Sequence, residues 1–144
     1  EKIEFWMSAN LGQSLQPLEK IISGGELSRL NLAIQAIFAK EKSTPVLVFD
    51  EIDTGIGGTV ASLVGKLMRL LSEKTQVIAI THLAQVAVKA HHHYVLQKES
   101  SAEKTYTRAL KLNDKERPLE IARMLGGVKV TDKSMAHAME LLEE

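Results

Sequence analysis

Residues able to do chemistry fall into three short clusters. The first is Asp50-Glu51, two adjacent carboxylates that close the apolar run Val46-Leu47-Val48-Phe49. Bounded by Pro45 and an acidic, Gly-rich loop, this run reads as a buried strand of a parallel sheet. Open α/β sheets bind their ligands outside the carboxyl ends of such strands. Placed there, Asp50 suits Mg²⁺, held through water because that ion keeps much of its hydration shell. Glu51 is free to take a proton from, or orient, an attacking water. An acidic turn after a core strand would look the same.

The second cluster, Thr81-His82, ends the run Val77-Ile78-Ala79-Ile80. His82 can hydrogen-bond a phosphate or the water, or serve as a plain strand-end cap. The third, Ser23-Gly24-Gly25-Glu26, has capping-box spacing. Its glycines suit a helix entrance that another group must approach closely. An entrance left bare presents unpaired N–H groups and the positive end of the helix dipole, an anion site. A capped helix with a flexible entrance is the simpler reading. Asp53, in the loop Asp53-Thr54-Gly55-Ile56-Gly57-Gly58, is either a solvated acid or a contact across an interface.

Positioning these residues takes an α/β arrangement. Ile3, Phe5 and Met7 alternate as a strand with one buried face, Asn10-Leu11-Gly12-Gln13 reads as a turn and Gln16-Pro17 as a loop. Ser23 to about Ala39 reads as a helix with Leu27, Leu30, Ile34, Ile37 and Phe38 on one stripe. Val60, Leu63, Val64, Leu67, Leu70 and Leu71 mark an amphipathic helix, Gln76–Thr81 a second buried strand, and Leu83, Val86 and Ala87 a short helix. Tyr94–Gln97 and Thr105–Leu112 read as strands around a turn at Ser100-Ser101-Ala102. Pro118 opens a helix with Ile121, Ala122 and Leu125 inward, which Gly126-Gly127 ends. Met135, Ala138, Met139 and Leu142 line a terminal helix. Helix–strand–helix–strand order implies parallel strands joined by right-handed crossovers, which brings Asp50-Glu51 and Thr81-His82 to one sheet edge.

Composition narrows the functional classes. The 144 residues fit a single domain, with no second domain or internal repeat. The absence of cysteine excludes disulfides and thiolate metal sites. A formal net charge of +0 gives no broad attraction to nucleic acid, so any DNA partner needs a local patch, an assembly or further sequence. No apolar run is long enough to span a membrane. The start at Glu1, directly before a strand-like run, reads as a boundary inside a longer polypeptide. A phosphate loop ending in Gly-Lys-Ser/Thr is missing; Gly65-Lys66-Leu67 lies mid-helix with no hydroxyl residue after it. His91-His92-His93 reads as a solvated strand entrance, because adjacent strand residues point to opposite faces and chelate poorly together.

Taken in order, the clusters resemble the motifs of ABC-type ATPases in the form used by SMC-like DNA repair proteins. Ser23-Gly24-Gly25-Glu26-Leu27-Ser28-Arg29 resembles their signature motif and Val46 to Glu51 their Walker B. Asp53-Thr54-Gly55 falls at the D-loop, and Thr81-His82 resembles the switch-histidine loop. Glu51 to Gly58, Thr81 to Ala87 and Glu120 to Gly127 extend the resemblance over nearly the whole chain.

This resemblance implies the C-terminal lobe of an ATPase head, α/β with a parallel-sheet core and flanking helices, lacking the Walker A half. It implies ATP and Mg²⁺ as cofactors, Asp50 as metal ligand, and Glu51 and His82 as catalytic residues. Ser23, Gly24, Gly25, Glu26 and Asp53 would be nucleotide-binding, the signature turn serving ATP held by a second head. Implied partners are that second head, the N-terminal lobe and coiled coil of the same full-length chain, and DNA. The implied place is the cytoplasm, at the nucleoid, and the implied process is double-strand-break repair and recombination. Alone, the fragment should be inactive for want of Walker A. His91 stands about where the family usually has an acidic residue. Rival readings are the nucleotide-binding subunit of a membrane transporter, a non-catalytic interaction domain, and a Mg²⁺ nuclease using Asp50, Glu51 and Asp53.

Overall fold

Apolar β-branched runs and amphipathic helices alternate along the middle of the chain, and they fold as a parallel strand pair covered by helices on one face. The structure, a computed structural model, describes residues 3–8, 12, 14–38, 44–100, 104–127 and 129–144. Its elements are β1 (Trp6–Met7), β2 (Gln16–Pro17), α1 (Leu18–Ile21), α2 (Gly24–Phe38), β3 (Val46–Phe49), α3 (Gly58–Leu71), β4 (Gln76–Ala79), α4 (Ala84–Ala87), β5 (Tyr94–Ser100), β6 (Thr105–Lys111), α5 (Glu116–Gly126) and α6 (Asp132–Glu143). The turn at Asn10, Leu11 and Gln13, the tip at Ser101 and Ala102, and Ala39 lie outside the described residues.

Strands β3 and β4 are parallel, with Val46 opposite Gln76 and Phe49 opposite Ala79. The Ile80 N–H donates to the Phe49 carbonyl at 3.0 Å, extending the ladder to the point where both chains leave the sheet. Phe49 and Leu47 face a core shared with Leu32, Ile52, Ala61, Val64, Met68, Leu71 and Val86. On this face Phe49 is 2% exposed, and truncating it to Ala would cost about 3–5 kcal/mol. The opposite face, Val46, Val48, Ile78 and Ile80, is bare. Hairpin β5–β6 is antiparallel, pairing Tyr94 with Lys111.

A second core lies under α5 and α6, where Ile121, Ala122 and Ala138 pack with Ala84, Ala87 and Val88. Short α4 thus belongs to both cores, through Val86 on one side and its alanines on the other. Arg117 of α5 secures the junction by donating to the carbonyls of Ala87, Val88 and Ala90 at 3.2, 3.0 and 2.6 Å. Burial pushes its guanidinium below the ordinary arginine value.

Several apolar faces differ from expectation. In α2 the buried residues are Gly25 and Leu32, while Leu27, Ile34, Ile37 and Phe38 are exposed. In α3 the buried stripe is Ala61, Val64, Gly65, Met68 and Leu71, with Val60, Leu63 and Leu70 exposed. Ile3, Phe5 and Met7 are exposed too, as is Met139. These helices are apolar on more than one side, so periodicity finds Val64, Leu67 and Leu71 of α3 but misses the small residues (Gly25, Ala61, Gly65) that mark the close contact.

Candidate functional site at the carboxyl edge of the parallel strands

Beyond Phe49 the backbone turns sharply. Glu51 has φ of 55°, the left-handed region, and is the non-glycine residue with positive φ among those described. Holding a Cβ-bearing residue there costs about 1–2 kcal/mol. The Thr54 N–H donates to the Glu51 carbonyl at 3.1 Å and closes the turn. Asp50 and Glu51 are both exposed. One Asp50 carboxylate oxygen accepts the Glu51 backbone N–H at 2.9 Å, leaving the other side of the carboxylate open to solvent. The Glu51 carboxylate makes no hydrogen bond or ion pair among the described residues. These two acids are therefore a solvent-facing pair on which Mg²⁺ and a water could be held.

Asp53 is neither the solvated acid nor the interface contact that the sequence offered. It is 3% exposed. Its Oδ2 accepts from Thr81 Oγ1 at 2.5 Å, from the backbone N–H groups of His82 and Leu83 at 2.8 and 3.3 Å, and stands 3.1 Å from His82 Nδ1. Burial pushes this carboxyl up, but the hydrogen bonds from Thr81 and His82 outweigh it and hold Asp53 below the ordinary aspartate value. The β3–α3 loop is thereby latched to the β4–α4 loop. His82 itself is 71% exposed, so its ring is largely open to solvent. It borders a hollow of about 380 Å³ shared with His93, Tyr94, Glu120 and Arg123. Arg123 grips Glu120 with two bonds of 2.8 and 2.6 Å. His93 is half-buried with no hydrogen-bond partner for Nδ1, and burial lowers its pKa. His91 and His92 are exposed.

The Ser23 turn is not bare. Ser23 N–H and Oγ–H each donate to Glu26 Oε2 at 2.8 Å, and the Glu26 N–H donates to Ser23 Oγ at 3.3 Å. This reciprocal capping box satisfies two groups at the head of α2. The bonds from Ser23 hold the Glu26 carboxyl below its ordinary value. Residues of the same turn then bolt α2 onto the acidic loop. Ser28 Oγ donates to the Asp50 carbonyl at 2.9 Å, and Arg29 donates to the carbonyls of Ile52 and Thr54 at 3.1 and 3.0 Å. A Cβ on Gly25 would stand 2.9 Å from the Glu51 carbonyl oxygen, so only glycine allows this approach. A Cβ on Gly24 would stand 2.9 Å from Glu51 Oε2.

The signature-like turn and the candidate water-activating acid are therefore neighbours in one chain. That contact weighs against assigning them wholly to different nucleotides. The clasp by Ser28 and Arg29 went unread in the sequence. Its signal was Arg29 four residues after Gly25, on the helix face that also carries Leu32.

Comparison with known proteins shows what the chain resembles. The chain is 51% identical over 142 residues to the DNA repair protein RecN of Vibrio cholerae, covering 99% of this chain and 26% of that protein. The chain is similar to a segment of RecN. RecN of Bacillus subtilis is 43% identical over 142 residues, with 99% of this chain and 25% of that protein covered. The chain thus spans about a quarter of the length of the RecN proteins it matches, in their C-terminal part. No family model matches it. Among solved structures, an Smc head bound to the C-winged-helix domain of ScpA superposes with a TM-score of 0.50 at 25% identity, covering 73% of this chain and 31% of that one. The chain has the α/β fold of an ABC-type ATPase head lobe.

Proposed function

We propose that this chain is the C-terminal lobe of the ATPase head of an SMC-like DNA repair protein, carrying Walker B, D-loop, switch histidine and signature turn. The observation that carries this reading is the β3–β4 register, which delivers Asp50-Glu51 and Thr81-His82 to one edge. Asp50 would hold Mg²⁺ and Glu51 would orient or deprotonate water. His82 would contact the terminal phosphate of ATP. Walker A would come from an N-terminal lobe of the same polypeptide, joined through a coiled coil. The bare face of Val46, Val48, Ile78 and Ile80 supports such a covering lobe. Without it the chain hydrolyses no ATP. DNA would be the partner of the full-length protein, at the nucleoid in the cytoplasm. Among the described residues, no helix is long and apolar enough to cross a membrane.

Two arrangements of the Ser23 turn compete. In the sandwich arrangement it serves ATP on a second head, and Glu51 withdraws from Gly24 on closure. The Gly24–Glu51 contact favours a second reading, in which turn and acid attend the same phosphate. Mixed dimers of full-length chains separate them. If heads exchange signatures, pairing a Glu51→Gln chain with a Ser23→Arg chain leaves one working site, and pairing a doubly substituted chain with wild type leaves none. The second arrangement gives the reverse. Unchanged turnover with Glu51→Gln in both chains removes Glu51 from its role.

A further inference from the structure

We propose that Arg29 is the positioning residue of Glu51: from within α2 it holds the turn that carries this acid, so the helix headed by the Ser23 turn also sets where the carboxylate stands. The chemistry rests on the ATPase reading, while the geometry does not. Glu51 lies at φ of 55°, a backbone that costs a Cβ-bearing residue free energy and has to be held by its surroundings. Its carbonyl accepts the Thr54 N–H at 3.1 Å, and the carbonyls of Asp50, Ile52 and Thr54 around this turn are all tied to α2. Ser28 Oγ supplies the first bond, at 2.9 Å. A single guanidinium nitrogen of Arg29 supplies the other two, at 3.1 and 3.0 Å. That donor is permanently charged, and hydrogen bonds from charged groups are the stronger ones. A Cβ on Gly25 would stand 3.1 Å from the same nitrogen, so Gly25 opens the slot through which Arg29 reaches the loop. The turn so fixed lays Glu51 Oε2 across Gly24, where a Cβ would stand 2.9 Å from it. Turn, helix head and acid therefore move as one piece, and Arg29 is the pin.

The test uses full-length protein free of nucleotide, with backbone hydrogen exchange read by mass spectrometry. Arg29→Ala should speed exchange of the segment 50–57 about 10-fold while the β4 segment 76–80 keeps its wild-type protection. Arg29→Lys keeps the charge without the planar fork and should fall between the two. Should Arg29→Ala fail to fold, Arg29→Lys carries the same comparison. Unchanged exchange at 50–57 overturns the proposal. So does an equal rise in both segments, which would mean that Arg29 only supports the fold.

Kinetics give the second arm. Arg29→Ala should lower kcat about 10- to 100-fold with KM for ATP little changed, and Arg29→Lys should recover part of the loss. In a Glu51→Gln background Arg29→Ala should add nothing. A full additional loss in that background would mean that Arg29 acts other than through Glu51, and would overturn the proposal. If Glu51→Gln alone leaves turnover unchanged, the water-activating role of Glu51 fails, while hydrogen exchange still decides whether Arg29 holds its turn.

Discussion

Glu51 and Asp53 stand two residues apart in one loop and live under opposite physical conditions. Asp53 is buried, ionised and saturated with donors from the neighbouring loop. Glu51 is exposed, strained at φ of 55°, and bonded through its carboxylate to nothing described. One carboxylate is spent on architecture so that the other is left uncommitted. A catalytic base has to be available to water, and a group already satisfied by fixed donors is a poor one. The pair therefore shows that two acids of one loop can stand in opposite environments.

The contrast can be broken at several points. Glu51→Gln in the full-length protein should lower ATP turnover about 100-fold or more while leaving thermal unfolding nearly unchanged. Loss of fold instead would mean that Glu51 is also structural. Asp53→Ala should do the opposite and destabilise by about 2–3 kcal/mol in denaturant unfolding, because the Thr81 hydroxyl and two amides lose their acceptor. Gly25→Ala should cost about 1–3 kcal/mol, since its Cβ meets backbone at 2.9 Å. Gly24→Ala should cost less, because the Glu51 side chain can swing aside.

Acid sharpens the comparison further. Asp53 titrates lower folded than unfolded, so its stabilisation is complete above the ordinary aspartate value and fades as pH falls from there through the lowered one. Urea midpoints measured down that range should fall for wild type and less steeply for Asp53→Asn. The smallest effect on stability belongs to Glu51→Asn. Asparagine tolerates left-handed backbone, so melting should rise by about 2–4 °C even as turnover is lost.

Much of this edge was legible because it rests on local rules. The apolar run ending in Asp50-Glu51 predicts a buried strand, and β3 with its parallel partner β4 supplies it. Ser23 and Glu26 predict a capping box, which is formed. What the sequence hides is long-range. Nothing local distinguishes Asp53 from a solvated loop acid, since its donors lie 28 to 30 residues away. The buried side of α2 differs for a related reason: the helix meets the acidic loop through Gly25, Ser28 and Arg29 beside buried Leu32, and Leu27, Ile34, Ile37 and Phe38 point elsewhere. Glu51's strained turn likewise has no compositional marker, because glutamate is not a residue that seeks positive φ.

Helix α4 begins two residues after His82 and is wedged between two separate hydrophobic masses. Arg117 ties its far end to α5. Any displacement of the α5–α6 pair would therefore reach α4 first, and α4 begins two residues from the histidine whose loop Asp53 latches.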